Sequence, residues 1–528
     1  MKKFNVTGIC VPKKHYMVDI SGKIDQILIL IEDEHYFTIN RARQYGKTTT
    51  LNQLKKAILK DSGYTCAGLS FELMNTDAFD TESNFCDMFL RKISEALELS
   101  NDCEEYSASW YNTEVTSFAQ LSRHITKMCK NKKFVLMIDE VDKSTNNRLF
   151  LHFLGMLRAK YLGRQAEEDY TFHSVILAGV TDIKNLKLKM INDGVHMRVA
   201  EEGRIFNSPW NIAADFDVDM SFSPEEISTM LCSYEEDHKT GMDISLIANE
   251  IYKYTDGYPF FVSRICKFID EKLTDGWTIS GVEEAVTFIL GEENVLFDDM
   301  GKNMGNHKDL YDFMYELIIL GEYKGFNLMV PAVKLASMFG YIKKATGKGK
   351  IVAANRIFEI ALTRFFVDSD SNVNGKNRRI PGAIYRDVIK GNTFDMEMCM
   401  CKFAEHYEEI YAEEDVNFLE RHGRLIFLTF LKPLLNGQGF FHIESELTDL
   451  RRMDIVVDFG TDQFIIELKL WKGKSANENA YDQLLGYMES KRAKVGYLLT
   501  FDFRKNVNKE SKAEWVTFGD MKIFDVVV

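Results

Sequence analysis

The strongest constraint on the fold is an alternation of two patterns between residues 16 and 215. Short apolar runs rich in β-forming residues, such as HYFTIN, FVLMID and FHSVILAGV, alternate with longer segments such as LNQLKKAIL, whose apolar residues recur at helical spacing. Strands that alternate with helices predict parallel pairing, because each helix returns the chain to the same edge of the sheet. We therefore predict a parallel α/β sheet over residues 1–215.

The remainder of the chain shows three further patterns. From residue 216 to 300 the sequence turns helical, and Ser223-Pro224 is typical of a helix start, which predicts a helical lid on the sheet domain. Residues 301–385 contain two helical segments and a turn before a third, which predicts a helical, winged-helix-like connector. Residues 395–528 begin with helical patterns and continue with alternating strands, which predicts a second α/β domain. A length of 528 residues agrees with about three domains.

A glycine-lysine-threonine sequence, Gly46-Lys47-Thr48, follows the first predicted strand and begins a predicted helix. Backbone N–H groups at such a helix start can surround a phosphate, while the lysine reaches its oxygens and the threonine hydroxyl binds Mg²⁺. Thr49 belongs to the same candidate nucleotide-binding segment. Arg41 stands where the pattern G-x-x-x-x-G-K-[ST] has its first glycine, so only three positions match strictly.

Two carboxylates, Asp139 and Glu140, end a second buried strand, FVLMID. In nucleotide hydrolases an aspartate at this place holds the Mg²⁺ shell, and we expect the following glutamate to orient the attacking water. The alternative is a pair of surface carboxylates that ends a strand. We favour the nucleotide site because the glycine-lysine-threonine sequence precedes it in the expected order. Four downstream residues are weaker candidates for γ-phosphate sensing or arginine fingers: Thr181, Asp182, Arg198 and Arg204.

The segment RRMDIVVDFGTDQFIIELKL contains two alternating runs joined by a turn, which predicts a β-hairpin. A turn centred between Thr461 and Asp462 places Asp454 opposite Lys469, with Glu467 on the same face. Two carboxylates and a lysine on one face suit phosphodiester hydrolysis that depends on Mg²⁺, with Asp454 and Glu467 as metal ligands. The alternative is an ordinary cross-strand ion pair beside a solvated glutamate.

Two neighbouring segments favour the catalytic interpretation of this hairpin. Glu446 lies on the preceding strand-like run HIESEL. Downstream, Gln483 and Tyr487 share one face of a predicted helix, because they are separated by four residues.

The composition of the whole chain limits its partners and its location. A net charge of −14 excludes uniform attraction to nucleic acid, so contact would need local basic patches such as residues 376–379, 451–452 or 491–494. Nine cysteines without CxxC pairs favour reduced thiols in the cytoplasm. We expect neither a signal peptide nor a membrane partner, since the N-terminus has no apolar segment and LIFLTF is too short to span a bilayer.

With these motifs, the chain resembles a bacterial family that joins an N-terminal AAA-ATPase-like domain to a C-terminal PD-(D/E)XK nuclease domain. The resemblance rests on the segments YFTINRARQYGKTTTL, SPWNIAADF, GYPFFVSRIC and IIELKL. It implies ATP and Mg²⁺ as cofactors, and a nucleic-acid partner, with DNA favoured over RNA. It also implies that Arg43 helps to hold phosphate, that Asp454, Glu467 and Lys469 form the nuclease motif, and that Gln483 completes it with help from Glu446.

Two functions remain open from the sequence. The first is an ATPase that regulates its own fused Mg²⁺-dependent nuclease, in defence against phage or mobile elements. The second is a non-catalytic nucleotide switch whose nuclease-like domain only binds nucleic acid. A homo-oligomer is expected for the first, because ATPases of this type often take an arginine finger from a neighbouring copy.

Overall fold

A computed structural model describes most of the chain and divides it into two compact units. The first unit comprises residues 1–282 and 338–340, and the second comprises residues 283–337 and 341–528. The finer division at residues 215, 300 and 385 stays a prediction. The described residues are 2–99, 104–111, 114–144, 148–180, 210–319, 324–345, 349–373, 387–390, 393–411, 416–435, 439–445, 453–459, 462–470, 474–491, 493–502 and 512–528.

The first unit contains the predicted parallel sheet. Its strands are β1 (Phe37–Asn40), β2 (Tyr64–Ser70), β3 (Lys133–Asp139) and β4 (Ser174–Gly179). They lie in the order β1-β4-β3-β2, and all of them are parallel. The carboxyl ends of β1 and β3 therefore lie at the same edge of the sheet, with β4 between them. Ligands of open α/β sheets bind at this edge.

Helices connect and cover these strands. They are α1 (Ser21–Glu32), α2 (Lys47–Ile58), α3 (Glu82–Glu98), α4 (Glu104–Tyr111), α5 (Phe118–Cys129) and α6 (Arg148–Gln165). Amphipathic faces of α3 and α5 pack on the sheet, and an aromatic cluster fills the core between them. The rings of Phe85 and Phe153 lie 5.0 Å apart, and those of Trp110 and Phe134 lie 5.1 Å apart. This packing makes the sheet a rigid platform for its loops.

Three helices follow in the same unit: α7 (Pro224–His238), α8 (Ile244–Thr255) and α9 (Pro259–Lys272). The predicted start of α7 is a complete capping box, in which Ser223 and Glu226 each bind the other's backbone N–H. Before α9, Gly257 has φ of 71°, and a Cβ atom there would lie 2.0 Å from the carbonyl oxygen of Phe222. This turn therefore requires glycine.

The segment between the two sheets consists mainly of helices, and its winged-helix-like character stays a prediction. It contains α10 (Ile279–Gly291), α11 (Val295–Asn306), α12 (Lys308–Ile318), α13 (Pro331–Met338), the antiparallel pair β5 (Ile342–Lys344) and β6 (Ile351–Ala353), and α14 (Arg356–Val373). A short antiparallel pair, β7 (Ile389–Lys390) and β8 (Thr393–Phe394), follows.

The C-terminal part is a mixed sheet of six strands in the order β13-β14-β12-β11-β10-β9. Its elements are α15 (Met396–Tyr411), α16 (Val416–Leu435), β9 (Gly439–Ser445), β10 (Met453–Phe459), β11 (Asp462–Leu470), α17 (Lys474–Lys491), β12 (Val495–Phe501), β13 (Lys512–Phe518) and β14 (Met521–Val527). The pairs β11–β12 and β12–β14 are parallel, whereas the other neighbours are antiparallel. Leu484 and Met488 of α17 pack on one face of this sheet, against Val456, Ile465 and Leu498.

The predicted register of the β10–β11 hairpin is wrong by two residues. Phe459 pairs with Asp462, so the connection contains only residues 460 and 461. The ladder continues to Ile455 opposite Ile466, and one further step sets Asp454 opposite Glu467 rather than Lys469. Because side chains alternate with a period of two, the shift leaves Asp454, Glu467 and Lys469 on one face.

Every helix in the described part of the chain is either too short or too polar to cross a lipid bilayer.

Candidate functional site

The loop after β1 and the end of β3 meet at the carboxyl edge of the parallel sheet. Thr48, at the start of α2, donates a hydrogen bond from its hydroxyl to Oδ2 of Asp139 at 2.7 Å. The other oxygen of Asp139 accepts the backbone N–H of Glu140 at 2.9 Å. A hydroxyl and a carboxylate oxygen are hard ligands of the kind that Mg²⁺ prefers. The two side chains that the sequence selected for Mg²⁺ are therefore already adjacent, and they fit the ion.

Lys47 is buried at the same edge. Its ammonium donates hydrogen bonds to the carbonyl oxygens of Arg41 and Ala42, each at 2.9 Å. Burial lowers the pKa of Lys47, and the neighbouring carboxylates, first among them Glu140, oppose that shift. The ammonium is thus a desolvated cation beside the helix start, where a phosphate could replace the carbonyl oxygens as its partner.

Arg41, which replaces the expected first glycine, connects this loop to a later segment. Its guanidinium donates to the carbonyl oxygens of Asn40 at 3.0 Å and Val218 at 2.8 Å. It also lies over the ring of Phe216, 5.4 Å from the ring centre. Arg41 therefore stabilises the loop through contacts with residues that are distant in sequence. The local sequence did not indicate these contacts.

Glu140 has an unusual backbone and an unusual charge environment. Its φ is 53°, in the left-handed region that non-glycine residues rarely adopt. Burial raises the pKa of its carboxyl group, and the charge of Asp139 raises that pKa further. Strained residues with shifted pKa values concentrate at functional sites, which makes Glu140 a candidate for chemistry.

The remaining loop residues contact other parts of the same unit. Thr49 accepts the backbone N–H of Cys10 at 3.1 Å, whereas Arg43 is exposed. The hydroxyl of Tyr258 donates to the carbonyl oxygen of Arg43, and its ring meets Tyr45 edge-on at 4.7 Å. The turn before α9 is therefore in direct contact with the candidate phosphate loop.

Asp142 is a candidate that the sequence analysis missed. Its carboxylate accepts the backbone N–H of Val180 at 2.6 Å, at the end of β4. It also contributes to the field around Lys47. Its position three residues after Asp139 was the available signal, but a third carboxylate after a strand is common in sequences.

A second cluster lies on the face of the C-terminal sheet that α17 covers. The ammonium of Lys469 is 2.5 Å from Oε1 of Glu467 and donates to Oε1 of Gln483 on α17 at 3.0 Å. Glu467 is only 2% exposed. The structure thus brings together three of the five residues selected for this site. Tyr487, the predicted neighbour of Gln483, is buried in the core beneath α17.

For a fourth residue, Asp454, the structure describes only the backbone, which pairs with that of Glu444 on β9. Its side chain lies outside the described part of the chain. A buried carboxylate such as Glu467 is a suitable ligand for a divalent cation. Among the described residues, no three or more His, Cys, Asp or Glu side chains are gathered for a metal ion.

Several predicted residues are not described by the structure. They are Thr181, Asp182, Arg198, Arg204, Lys376, Arg378, Arg379, Glu446, Arg451, Arg452 and Arg492. Of the basic residues 491–494, Lys491 lies over the ring of Tyr487 and Lys494 pairs with Asp520.

Both clusters lie within regions that match known families. Residues 27–274 match an AAA-like domain, and residues 440–512 match the PD-(D/E)XK nuclease superfamily. The chain therefore combines an AAA-like domain with a PD-(D/E)XK nuclease superfamily domain. The first match contains the loop of Lys47, and the second contains Glu467, Lys469 and Gln483.

Solved structures resemble the chain at low sequence identity. A Walker-type ATPase of Pyrococcus abyssi is 11% identical, with a TM-score of 0.47, over 68% of this chain and 99% of that one. The ORC2 protein of Aeropyrum pernix, in its ADPNP–ADP complexes, is 10% identical, with a TM-score of 0.33, over 70% of this chain and 98% of that one. No curated protein matches the sequence significantly.

Proposed function

We propose that the protein is a nuclease that depends on divalent cations and is regulated by the ATPase domain of the same chain. The observation that carries this proposal is the contact of Lys469 with both Glu467 and Gln483 on one sheet face. A carboxylate, a lysine and an amide, set on a nuclease-superfamily sheet, suit the hydrolysis of a phosphodiester. The finer parts of this proposal are Mg²⁺ as the ion, DNA as the substrate, a homo-oligomer, a cytoplasmic location in a bacterium and a role in defence against phage.

In the nuclease domain, Glu467 and Asp454 would hold the cation. The ion would supply a polarised water and neutralise charge on the phosphate. Lys469 would orient the attacking water or stabilise the phosphate oxygens as charge develops. Gln483 holds the lysine ammonium from α17 and so fixes its direction.

In the ATPase domain, Thr48 and Asp139 would hold the Mg²⁺ of the nucleotide, and Lys47 would bind its phosphates. Glu140 follows Asp139 directly and would orient a water for hydrolysis of the γ-phosphate. The contacts of Tyr258 with Arg43 and Tyr45 offer a route by which a nucleotide in this loop changes the turn before α9.

The nuclease assignment is tested by DNA cleavage with Mg²⁺ in the wild type, Lys469→Ala and Lys512→Ala. Lys512 is a matched control, because it is an exposed lysine of the same domain that pairs with Glu514. We expect Lys469→Ala to lower the rate by about 10²–10³-fold, as does the loss of an electrostatic stabiliser in other enzymes, and Lys512→Ala to leave it unchanged. Full activity in Lys469→Ala would reject this site. Single-stranded DNA, duplex DNA and RNA substrates separate the possible partners.

A second candidate function is a non-catalytic nucleotide switch. The bonds that Lys47 makes to the loop carbonyl oxygens favour it, because a phosphate must displace them. In that case the protein would bind ATP without turnover and would bind DNA without a metal ion. ATP hydrolysis that is lost in Lys47→Ala would exclude this function.

A further inference from the structure

Thr500 of β12 is the neighbour of Lys469 across the sheet. The two residues are paired in parallel register, so their side chains leave the same face. That face is the one covered by α17, since Lys469 reaches Gln483 there and Leu498, two residues before Thr500, packs on the helix. Thr500 therefore adjoins the proposed nuclease site, and nothing in the motif that defines the site includes it.

The hydroxyl of Thr500 is buried without a partner. The residue is 0% exposed, and its Oγ1 makes no hydrogen bond within the part of the chain that the structure describes. A hydroxyl has one donor and two acceptor lone pairs, and burial without a partner destabilises a fold. Valine would fill nearly the same volume without this cost. Packing alone therefore does not account for a threonine at this position.

The ammonium of Lys469 is a hydrogen-bond donor that the hydroxyl of Thr500 can accept. It has three N–H donors: Gln483 accepts one of them, and Glu467 forms an ion pair with the ammonium. A divalent cation bound by Glu467 would compete with the ammonium for the carboxylate oxygens. Lys469 then needs a replacement acceptor, and Thr500 stands on the adjoining strand, at the usual spacing of about 4.8 Å.

We propose that Thr500 is a positioning residue that accepts an N–H of Lys469 once Glu467 is occupied by a divalent cation. The hydroxyl and the Gln483 amide would then hold the ammonium between them, directed at the substrate phosphate. This inference rests on the proposed nuclease function. However, its physical core, the exchange of one acceptor of Lys469 for another, can be measured without a metal ion or a substrate.

The test is a double-mutant cycle on thermal stability without metal, with Thr500→Val and Glu467→Ala. In the wild type we expect Thr500→Val to raise Tm by about 2–4 °C, because it removes an unpaired buried hydroxyl. In the Glu467→Ala background, which imitates a withdrawn carboxylate, the same change should lower Tm by a similar amount. Thr500→Ser in that background should retain stability better than Thr500→Val. If Glu467→Ala does not fold, Glu467→Leu replaces it with the same sign expected, because leucine also removes the acceptor oxygens.

Thr363→Val is the matched control. Thr363 is also 0% exposed, but its hydroxyl donates to the carbonyl oxygen of Glu359 at 2.7 Å. Its effect on Tm should be equal in both backgrounds. A shift for Thr500→Val with the same sign and size in both backgrounds would overturn the inference.

The cleavage assay separates this inference from the proposed function. If the Tm change caused by Thr500→Val reverses its sign between the two backgrounds in a protein that cuts no nucleic acid, that result would reject the proposed nuclease function and retain the exchange of acceptors. Cleavage by a protein without the reversal would retain the function and reject the role of Thr500. With both present, Thr500→Val should lower the cleavage rate, and Thr500→Ser should restore it.

Discussion

At the residue scale, Glu140 combines backbone strain with a carboxylate whose ionised form is disfavoured. Its φ of 53° and its raised pKa both lower the stability of the folded protein near neutral pH. Because both the positive φ and the raised pKa destabilise the fold, their presence favours a functional role for Glu140. The charge of Arg41 is accommodated better than that of Glu140, because its guanidinium has backbone carbonyl partners and lies over an aromatic ring.

Replacement of Glu140 by glutamine should stabilise the protein while it removes ATP turnover. The folded state raises the pKa of Glu140, so the cost of its charge is present above that pKa. The cost disappears as pH falls below the ordinary glutamate value of about 4.3. We expect Glu140→Gln to have a higher Tm at pH 7 by about 1–3 °C and no advantage near pH 4. Turnover should fall by about 10²–10⁴-fold.

Thermal unfolding across pH measures this effect, and steady-state ATP hydrolysis measures the turnover. Glu98→Gln is the control, since Glu98 is exposed at the end of α3. It should change neither quantity. A lower Tm for Glu140→Gln at neutral pH would contradict the account of this residue.

At the element scale, the turn between α8 and α9 links the helical segment to the candidate phosphate loop. It needs glycine at residue 257, because its backbone has a positive φ and passes against Phe222. Tyr258 and Pro259 follow directly, and both approach the loop: Tyr258 binds the carbonyl oxygen of Arg43, and Pro259 faces Gly46.

Gly257→Ala should therefore be far more damaging than the same change at Gly241. Both glycines have positive φ, of 71° and 79°, but only Gly257 has backbone atoms where a Cβ would lie. We expect Gly241→Ala to cost about 1 kcal/mol of folding free energy, the cost of the left-handed conformation alone. Gly257→Ala should cost more than about 3 kcal/mol or prevent folding. Urea unfolding measures both, and equal losses would show that the close contact is unimportant.

The sequence predicts elements better than it predicts the contacts between them. The apolar periodicities of HYFTIN, FVLMID and LNQLKKAIL correctly predicted β1, β3 and α2, because burial of one face or one stripe is a local property. The hairpin register was wrong by two residues, since local polarity did not separate Gly460-Thr461 from Thr461-Asp462 as the connection. The face was still correct, because a shift of two preserves the side-chain direction.

Long-range contacts at the two sites were not predictable from local patterns. Arg41 binds a carbonyl oxygen 177 residues further along the chain. Tyr258 binds one 215 residues before it. Thr500 lies beside Lys469 only because β12 pairs in parallel with β11. Such contacts depend on the order of strands in a sheet, which spacing within one segment does not encode.

At the scale of the whole molecule, an AAA-like domain and a PD-(D/E)XK nuclease superfamily domain occur in one acidic chain. A net charge of −14 makes uniform attraction to a polyanion unfavourable, so nucleic acid would bind through local contacts. Each compact unit contains one candidate site: Lys47, Thr48 and Asp139 in the first, and Glu467, Lys469 and Gln483 in the second. The presence of both candidate sites in one chain is explained if the nucleotide bound at the first site controls the rate of cleavage at the second.

The most direct test is the rate of Mg²⁺-dependent DNA cleavage with ATP, with ADP and without nucleotide, in the wild type and in Lys47→Ala. The account predicts that ATP changes the wild-type rate by about tenfold or more, which corresponds to a coupling of about 1.4 kcal/mol. Lys47→Ala should show one rate under all three conditions, because its loop lacks the cation that binds phosphate. Wild-type cleavage that is the same with and without nucleotide would contradict the account.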